Sequence, residues 1–339
     1  MSSLKIPSYL GILLLLVGFS AENAQAQQQQ SKADSINAAY FPEPIYVSLQ
    51  KSGAIEKLPE QTIFKGFPGA HYLSVSPDGQ TLAVSGFKTG RVYIADSETG
   101  KKRAALHIGE VVQGVKINPQ GTFALAVNAA GGAVSVIDLD KDEVVKSIPV
   151  GRTPHNVQFS NEGSLAYVTV QGENKVAVLN MVSLKKVKDI SVGSLEGPHN
   201  LDISPDGRRL WIRNKPQNSG DPGRVAVVNI ATGQVINNVA AGPSHGGIDL
   251  EGGRFHVLAT DIGGTTMEVI DPNGLASIRS LEVGAGPHGV RMSPGGRWAY
   301  VAATRSNQIS VIDMRDLNVV DRIQTSGEFP FWISLVGNR

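Results

Sequence analysis

Apolar and polar residues alternate with a period of two along most of the chain, in short runs separated by turn sequences. In segments 157–160 (VQFS) and 201–204 (LDIS) every second residue is apolar. This alternation is typical of β-strands, whereas amphipathic helices show a period near 3.6 residues. The separating turns are rich in Gly, Pro, Asp and Asn, as in SPDG at 76–79 and 204–207. The pattern therefore predicts an all-β protein.

One unit of this pattern repeats along the chain. Each unit contains four predicted strands, with a VID-like third strand and a fourth strand that ends in Val-Gly. Turn glycines mark the units at intervals of 42 to 46 residues: Gly79, Gly121, Gly163, Gly207, Gly253 and Gly296. A four-stranded repeat of about 40 to 45 residues is the signature of a β-propeller blade.

The two ends of the repeat array complement each other. Residues 45–66 match strands two to four of a unit, and residues 329–335 (FPFWISL) match strand one. Joined, they form one further blade, which pairs the two open sheet edges of an unclosed ring. We therefore predict a single domain over residues 45–339: a seven-bladed β-propeller closed by the C-terminal strand 1 joining N-terminal strands 2–4.

The repeat resembles the YVTN family of extracytoplasmic β-propeller proteins. The matching segments are AYVTV at 166–170, VID at 136–138 and 311–313, and VG at 150–151, 192–193 and 283–284. The resemblance covers roughly residues 45–339. It implies the propeller architecture and says little about activity, because one scaffold of this kind serves many functions.

The N-terminal residues have the pattern of a secretory signal. Lys5 precedes a short apolar run at 10–19 (LGILLLLVGF), and the AQA at 24–26 fits a cleavage site. The run is shorter than the roughly 20 residues that span a bilayer. We therefore predict a signal peptide at 1–26, a flexible leader at 27–44, no membrane span in the mature chain, and a periplasmic or secreted location.

Composition excludes several classes of chemistry. The chain has no cysteine, which rules out disulfides, c-type haem attachment, thiolate metal sites and cysteine nucleophiles. Its 31 basic and 30 acidic residues give no electrostatic basis for binding nucleic acid. We expect a monomer whose partner is a small ligand or a periplasmic or extracellular protein.

Histidines recur at one position of the repeat, as in TPHN at 153–156, GPHN at 197–200 and GPHG at 286–289. Five of the seven histidines fall there. Counting eight residues back from each turn glycine, and aligning the last strand by its pattern, gives His71, Gln113, His155, His199, His245, His288 and Phe331. Because this position lies just ahead of the innermost strand, ring closure should gather these side chains at the mouth of the central channel.

Two interpretations of the gathered histidines remain open. Neutral imidazoles suit copper or zinc, and the strongest candidates for a metal site are His155, His199 and His288. Alternatively, a duplicated unit carries a histidine that only hydrogen-bonds a neighbouring loop. The residues predicted to bind a ligand are His71, Gln113, His155, His199, Arg213, His245 and His288.

Loops on the same face supply further candidates. The loop at 214–224 is unusually long and is either a lid over the mouth or a tolerated surface insertion. Asp261 and Arg305 lie in equivalent loops and are candidate pocket residues. Ser244 matches G-x-S-x-G, but it lies between two predicted strands and not before a helix, so we expect no nucleophile elbow. Asp78 and Asp206 are predicted to shape turns on the opposite face.

Two enzyme families offer partial parallels. Nitrous oxide reductase is similar in binding copper with histidines at a propeller hub, although Gln113 and Phe331 occupy two ring positions here. Streptogramin B lyases are similar small seven-bladed propellers in which such a histidine is an acid–base group beside a magnesium-binding acid. That acid's place is held here by Thr153, Gly197 and Gly286.

Three classes of function follow. The preferred hypothesis is a binding platform whose histidine-lined mouth holds a small ligand, a metal ion or a partner protein. The alternative is a His-dependent enzyme at the same mouth: a lyase, a lactonase-like hydrolase or a metal-dependent oxidoreductase. The third is an interaction scaffold with no small-molecule site.

Overall fold

The computed structural model describes residues 36–216, 221–250, 256–273 and 275–337. Within them, 28 strands form seven four-stranded antiparallel sheets. The innermost strands contact one another in a closed cycle, so the sheets are the seven blades of a propeller. The predicted fold class is confirmed. No helix in the described ranges is both long and apolar enough to cross a membrane. The predicted signal peptide at 1–26 lies outside the described residues.

Blade 1 contains strands from both ends of the chain. They are β1 (Ile45–Leu49), β2 (Ala54–Leu58), β3 (Thr62–Lys65) and, innermost, β28 (Pro330–Leu335). Strand β28 pairs antiparallel with β1, with Ile45 opposite Leu335 and Val47 opposite Ile333. The predicted closure by the C-terminal strand is confirmed.

The other six blades each consist of four consecutive strands, ordered from the channel outwards. Blade 2 contains β4 (Ala70–Val75), β5 (Thr81–Gly86), β6 (Arg91–Asp96) and β7 (Lys102–His107). Blade 3 contains β8 (Val112–Ile117), β9 (Phe123–Asn128), β10 (Ala133–Asp138) and β11 (Glu143–Pro149). Blade 4 contains β12 (Pro154–Phe159), β13 (Leu165–Val170), β14 (Lys175–Asn180) and β15 (Lys185–Ser191), with a 3-10 turn at Gln171–Glu173.

Blades 5 to 7 complete the ring. Blade 5 contains β16 (Pro198–Ile203), β17 (Arg209–Asn214), β18 (Arg224–Asn229) and β19 (Val235–Ala240). Blade 6 contains β20 (Ile248–Leu250), β21 (Val257–Thr260), β22 (Thr266–Asp271) and β23 (Ala276–Glu282). Blade 7 contains β24 (Pro287–Met292), β25 (Trp298–Ala303), β26 (Gln308–Asp313) and β27 (Asn318–Gln324).

Burial explains the alternating pattern. All six residues of β12 are buried, whereas the outermost strand of the same blade, β15, is exposed at all but one position. The apolar residues Val157 and Phe159 of β12 pack with Leu125 and Val136 of blade 3, in the core between adjacent blades. The polar residues that alternate with them are therefore buried on the other side, toward the channel.

The turn aspartates have the role predicted for them. The carboxylate of Asp78 accepts hydrogen bonds from the Ser76 hydroxyl at 2.5 Å and the Gln80 amide at 3.0 Å. Asp206 repeats this arrangement with Ser204 and the amide two residues on. These bonds stabilise the SPDG turns at the channel end opposite the histidines.

The last part of the predicted leader at 27–44 contacts blade 7. A 3-10 turn at Ala38–Tyr40 brings two aromatic rings onto blade 7. Tyr40 lies 4.9 Å from the ring of Trp298, and Phe41 stacks at 5.2 Å on Tyr300. The Tyr300 hydroxyl donates to the Tyr40 carbonyl at 2.6 Å. Aromatic contacts, of which that of Phe41 is buried, therefore hold Tyr40 and Phe41 against blade 7.

Candidate functional site

We had predicted that the histidines lie just ahead of the innermost strands. In the structure, four of the five lie inside these strands. His71, His155, His199 and His288 are each the second residue of their strand. None of these four is more than 6% exposed, so they line the channel and not an open rim. His245 is the exception: it precedes β20 and is half-buried, because an additional glycine delays the start of that strand.

A β-bulge at the start of each of these strands directs the side chains into the channel. Between Pro154 and Val157 the register of β12 with β13 shifts, leaving residues 155 and 156 outside the regular ladder. The same shift occurs in β4, β16 and β24. Bulges change the direction of side chains, and here both the histidine and the residue after it contact neighbours across the channel.

Hydroxyl groups on the second strands hold these bulges in place. The hydroxyl of Thr169 accepts a hydrogen bond from the Asn156 amide at 3.0 Å and donates to the carbonyl of His199 in the next blade at 2.7 Å. Thr169 thus ties the bulge of one blade to the histidine backbone of the next. Equivalent bonds join Thr260 to the carbonyl of His288 and Ser48 to the carbonyl of His71.

The side chains at the equivalent positions pack around the channel. The rings of His155 and His199 are 3.6 Å apart between centroids. Phe331 stacks between two histidines, with its centroid 3.9 Å from both His71 and His288. Gln113 occupies the other ring position that lacks a histidine. Its side-chain amide oxygen accepts a hydrogen bond from Nε2 of His71 at 3.0 Å. Circular closure therefore does bring these distant residues together.

The nitrogens that converge most closely belong to His199, His245 and His288. One ring nitrogen from each lies within 4.8 Å of the others. This set differs from the predicted metal set, in which His155 took the place of His245. Zinc–nitrogen bonds of about 2.0 Å would require the three nitrogens to approach by roughly 1.5 Å. His155 instead packs against the ring of His199.

Burial keeps the imidazoles neutral. It lowers the pKa of His71 to about 3 and that of His245 to about 4. The pKa values of His155, His199 and His288 are also well below the usual range, because of burial first and mutual repulsion second. The nearby ammonium of Lys215 contributes to the low pKa of His245. Neutral imidazole is the form that coordinates metals.

Several ring nitrogens have no hydrogen-bond partner among the described residues. They are Nδ1 of His71, His155, His199 and His288, together with Nε2 of His288. His288 is the extreme case, because its side chain is fully buried and neither nitrogen is satisfied. Leaving a buried polar group unpaired costs about 1–3 kcal/mol. The cluster therefore has unused capacity to coordinate or to hydrogen-bond a ligand.

Arg213 has a structural role that the sequence did not predict. Its guanidinium is fully buried and donates to the carbonyls of Thr260 at 3.3 Å, Arg224 at 3.2 Å and Ser244 at 2.8 Å, and to that of Ala241. Burial lowers its pKa to about 10, so it remains charged. These carbonyls come from other parts of the chain, and ligand binding by Arg213 stays a prediction. Arg213 positions the loop that carries His245.

Asp261 also supports this loop, and Arg305 holds the neighbouring loop after β21. Asp261 accepts the backbone N–H of Ser244 at 2.9 Å, and the Arg305 guanidinium donates to the carbonyl of Ile262 at 2.6 Å. Ser244 lies between β19 and β20 with its hydroxyl 3.3 Å from Nδ1 of His245. The element that follows it is the strand β20, so the segment is not a nucleophile elbow. Of the long loop at 214–224, residues 217–220 lie outside the described residues.

Tyr72 forms the floor beneath the imidazoles. It is 1% exposed, and its ring makes edge contacts with His155 at 5.7 Å and His288 at 6.4 Å. Its hydroxyl donates to Oδ1 of Asn200 at 2.9 Å. The same oxygen accepts a hydrogen bond from the side-chain amide of Asn156 at 2.6 Å. Burial raises the pKa of Tyr72, so the phenol stays protonated. These side chains fill the channel below the histidine cluster.

Sequence reasoning missed Tyr72, Asn156 and Asn200, although each directly follows a ring position. Strict alternation turns a residue next to an inward-facing one toward the inter-blade core. The bulge breaks this rule and places both residues in the channel. Polar residues immediately after two of the histidines were the available signal, since asparagine is rare in a buried strand unless it is hydrogen-bonded.

Known proteins match the fold of this chain. Residues 67–206 match the family model of the YNCE-like beta-propeller. Hydrazine synthase of Kuenenia stuttgartiensis is 23% identical, with a TM-score of 0.71, covering 79% of this chain and 89% of its own. A functionally unknown protein from Desulfotomaculum acetoxidans is 15% identical, with a TM-score of 0.72, covering 88% of this chain and 100% of its own.

A third similar structure is the dihydro-heme d1 dehydrogenase NirN in complex with DHE. It is 16% identical to this chain, with a TM-score of 0.62, over 87% of this chain and 75% of its own. No curated protein matches the sequence. At these identities the structural likenesses establish the fold alone. The seven closed blades make this chain a β-propeller, and its residues 67–206 are similar to the YNCE-like beta-propeller family.

Proposed function

We propose that this chain is a periplasmic or secreted binding protein that holds a zinc or copper ion on His199, His245 and His288. The observation that carries the proposal is the convergence of three imidazole nitrogens within 4.8 Å. The unpaired nitrogens of fully buried His288 support it, because coordination would satisfy one of them. The signal-like segment at 1–26 supports the location.

The donor set suits these metals. Imidazole is a preferred ligand of zinc and copper, whereas magnesium and calcium prefer oxygen ligands, and no carboxylate belongs to the described cluster. Low pKa values spare the ligands the cost of deprotonation at neutral pH. Thr260 and Arg213 fix the backbones that carry His288 and His245, so little has to be ordered on binding.

The second candidate is a metal-dependent enzyme at the same end of the channel. Three protein ligands leave a fourth coordination position of a tetrahedral ion for water or substrate, as in catalytic zinc sites. His245 is half-buried, so the fourth position would face the accessible side of the cluster. NirN, a propeller of similar fold, is named as a dehydrogenase in complex with DHE. No feature of this chain selects a particular reaction.

Metal analysis of protein purified without a histidine tag tests the proposal. We expect one zinc or copper ion per chain, retained through dialysis, and loss of that ion in the His245→Ala/His288→Ala variant. His107→Ala is the matched control, because His107 is exposed on β7 away from the cluster. Absence of stoichiometric metal after reconstitution, or equal binding by the double variant, would refute the site and favour an interaction scaffold.

A further inference from the structure

The end of the channel opposite the histidines contains a cavity of about 200 Å³. It lies where the innermost strands β4, β8 and β12 end and the following turns begin. Its lining combines the polar side chains of Lys116, Ser74 and Gln158 with apolar walls from Phe159 and Pro77. A six-residue strand is roughly 20 Å long, so this cavity is distinct from the histidine cluster.

The floor of this cavity belongs to a buried group of charges in the channel. Arg291 pairs with Asp249 at 3.1 Å. Asp202 accepts hydrogen bonds from the side chain of Gln158 at 2.7 Å and the amide of Leu250 at 2.9 Å. Both carboxylates are therefore satisfied by groups other than Lys116.

Lys116 is the charged member of this group that has no direct partner among the described residues. Its ammonium makes no hydrogen bond or ion pair with the described residues, although it lies near the Arg291, Asp202 and Asp249 charges. Burial, followed by repulsion from Arg291, lowers the pKa of Lys116 to about 8. The side chain is nevertheless partly exposed to solvent, and a pKa near 8 leaves most of it protonated at neutral pH.

Lys116 and Gln158 also separate the cavity from the channel interior. Both line a second, inner cavity of about 10 Å³, together with Tyr72, Arg291 and Trp332. A space of this size holds about one water molecule. An organic ligand in the outer cavity would therefore meet the Lys116 ammonium at its floor and could not advance to Tyr72.

We propose that the outer cavity binds the carboxylate of a small, mostly apolar organic acid, with Lys116 as its cationic partner. The Ser74 hydroxyl accepts the Ile117 amide at 3.1 Å and keeps its own proton for a second hydrogen bond to the carboxylate. A single ammonium without a direct hydrogen-bond partner suits a single carboxylate. A phosphate group would need more donors than Lys116 and Ser74 provide, and the apolar walls suit a hydrocarbon body.

Binding of sodium benzoate, measured by calorimetry, tests this site, with benzamide as the neutral probe of the same shape. We expect benzoate to bind the wild type at least tenfold more tightly than benzamide, and Lys116→Met to reduce benzoate affinity tenfold or more. Lys116→Arg should retain binding within a few-fold. Lys146→Met, on the exposed face of β11, is the matched control and should bind as the wild type does.

A measurement on the wild type keeps the test valid if the Lys116 variants fold poorly. Benzoate should slow reductive methylation of Lys116, followed by mass spectrometry, and leave Lys146 unaffected. Equal binding of benzoate and benzamide, tighter binding of inorganic phosphate, or no protection of Lys116 would overturn the proposal. His245→Ala/His288→Ala should bind benzoate as the wild type does. The benzoate experiment therefore tests the outer cavity independently of the metal site.

Discussion

Buried neutral histidines should make the metal-free protein sensitive to acid, and His71 allows the effect to be isolated. Its side chain is 6% exposed, with Phe331 stacked at 3.9 Å and Gln113 accepting its Nε2 hydrogen bond. It is not one of the three converging metal ligands. Glutamine already occupies the equivalent position in the next blade, so His71→Gln is the natural substitution.

The size of the effect follows from the two pKa values. In the folded chain the pKa of His71 is about 3, below the usual value of about 6.5 in an unfolded chain. Below pH 6.5 the unfolded chain therefore binds a proton that the folded chain does not, and stability falls as pH falls from 6.5 toward 3. Between pH 7 and pH 5 this difference removes about 2 kcal/mol from the free energy of unfolding.

Urea unfolding in EDTA at pH 7 and pH 5 measures this quantity. We expect the wild type to lose about 2 kcal/mol more than His71→Gln over this interval. His107→Gln, which removes an exposed histidine on β7, should behave like the wild type. If wild type and His71→Gln lose the same stability between the two pH values, the argument that burial keeps this imidazole neutral is wrong.

Three further substitutions test the architecture by thermal and urea unfolding. Gly289→Ala would place a Cβ 2.7 Å from a backbone oxygen of the closing strand and should cost about 1–3 kcal/mol, whereas an unchanged stability would argue against this packing. Thr169→Val removes the hydrogen bond to the His199 carbonyl and should lower the free energy of unfolding by about 1–3 kcal/mol. An unchanged stability would show that this hydrogen bond does not stabilise the ring. Tyr72→Phe leaves Asn200 without its phenol donor and should lower the free energy of unfolding by about 1 kcal/mol. An unchanged stability would contradict a stabilising role of this bond.

The fold was readable from the sequence because its signals are local and repeated. The turns between the first two strands of a blade use glycine in the left-handed backbone, as at Gly79 (φ 75°) and Gly207 (φ 68°), so these glycines mark the repeat. Period-two alternation then identified the strands between them. Closure was also readable, because residues 329–335 supplied the one strand that residues 45–66 lacked.

The site was only partly readable, because its details depend on one-residue shifts. Alignment on the turn glycine identified the histidine positions, but a single added glycine before β20 moved His245 out of its strand and into the converging set. The bulges that turn Asn156 into the channel have no sequence signature that we recognised. The role of Arg213 depends on carbonyls about 30 to 50 residues away, which no local pattern reveals.

Among the described residues, Tyr72 and its neighbours occupy the middle of the channel, so this propeller is a disc with a separate vestibule on each face. A solute that enters on the imidazole side has to leave on that side, and the same holds for the lysine side. If the disc were docked to a surface by one face, only the vestibule on the other face would keep exchanging with the surrounding solution. Opening the middle of the channel by Tyr72→Gly would connect the two vestibules and abolish that independence.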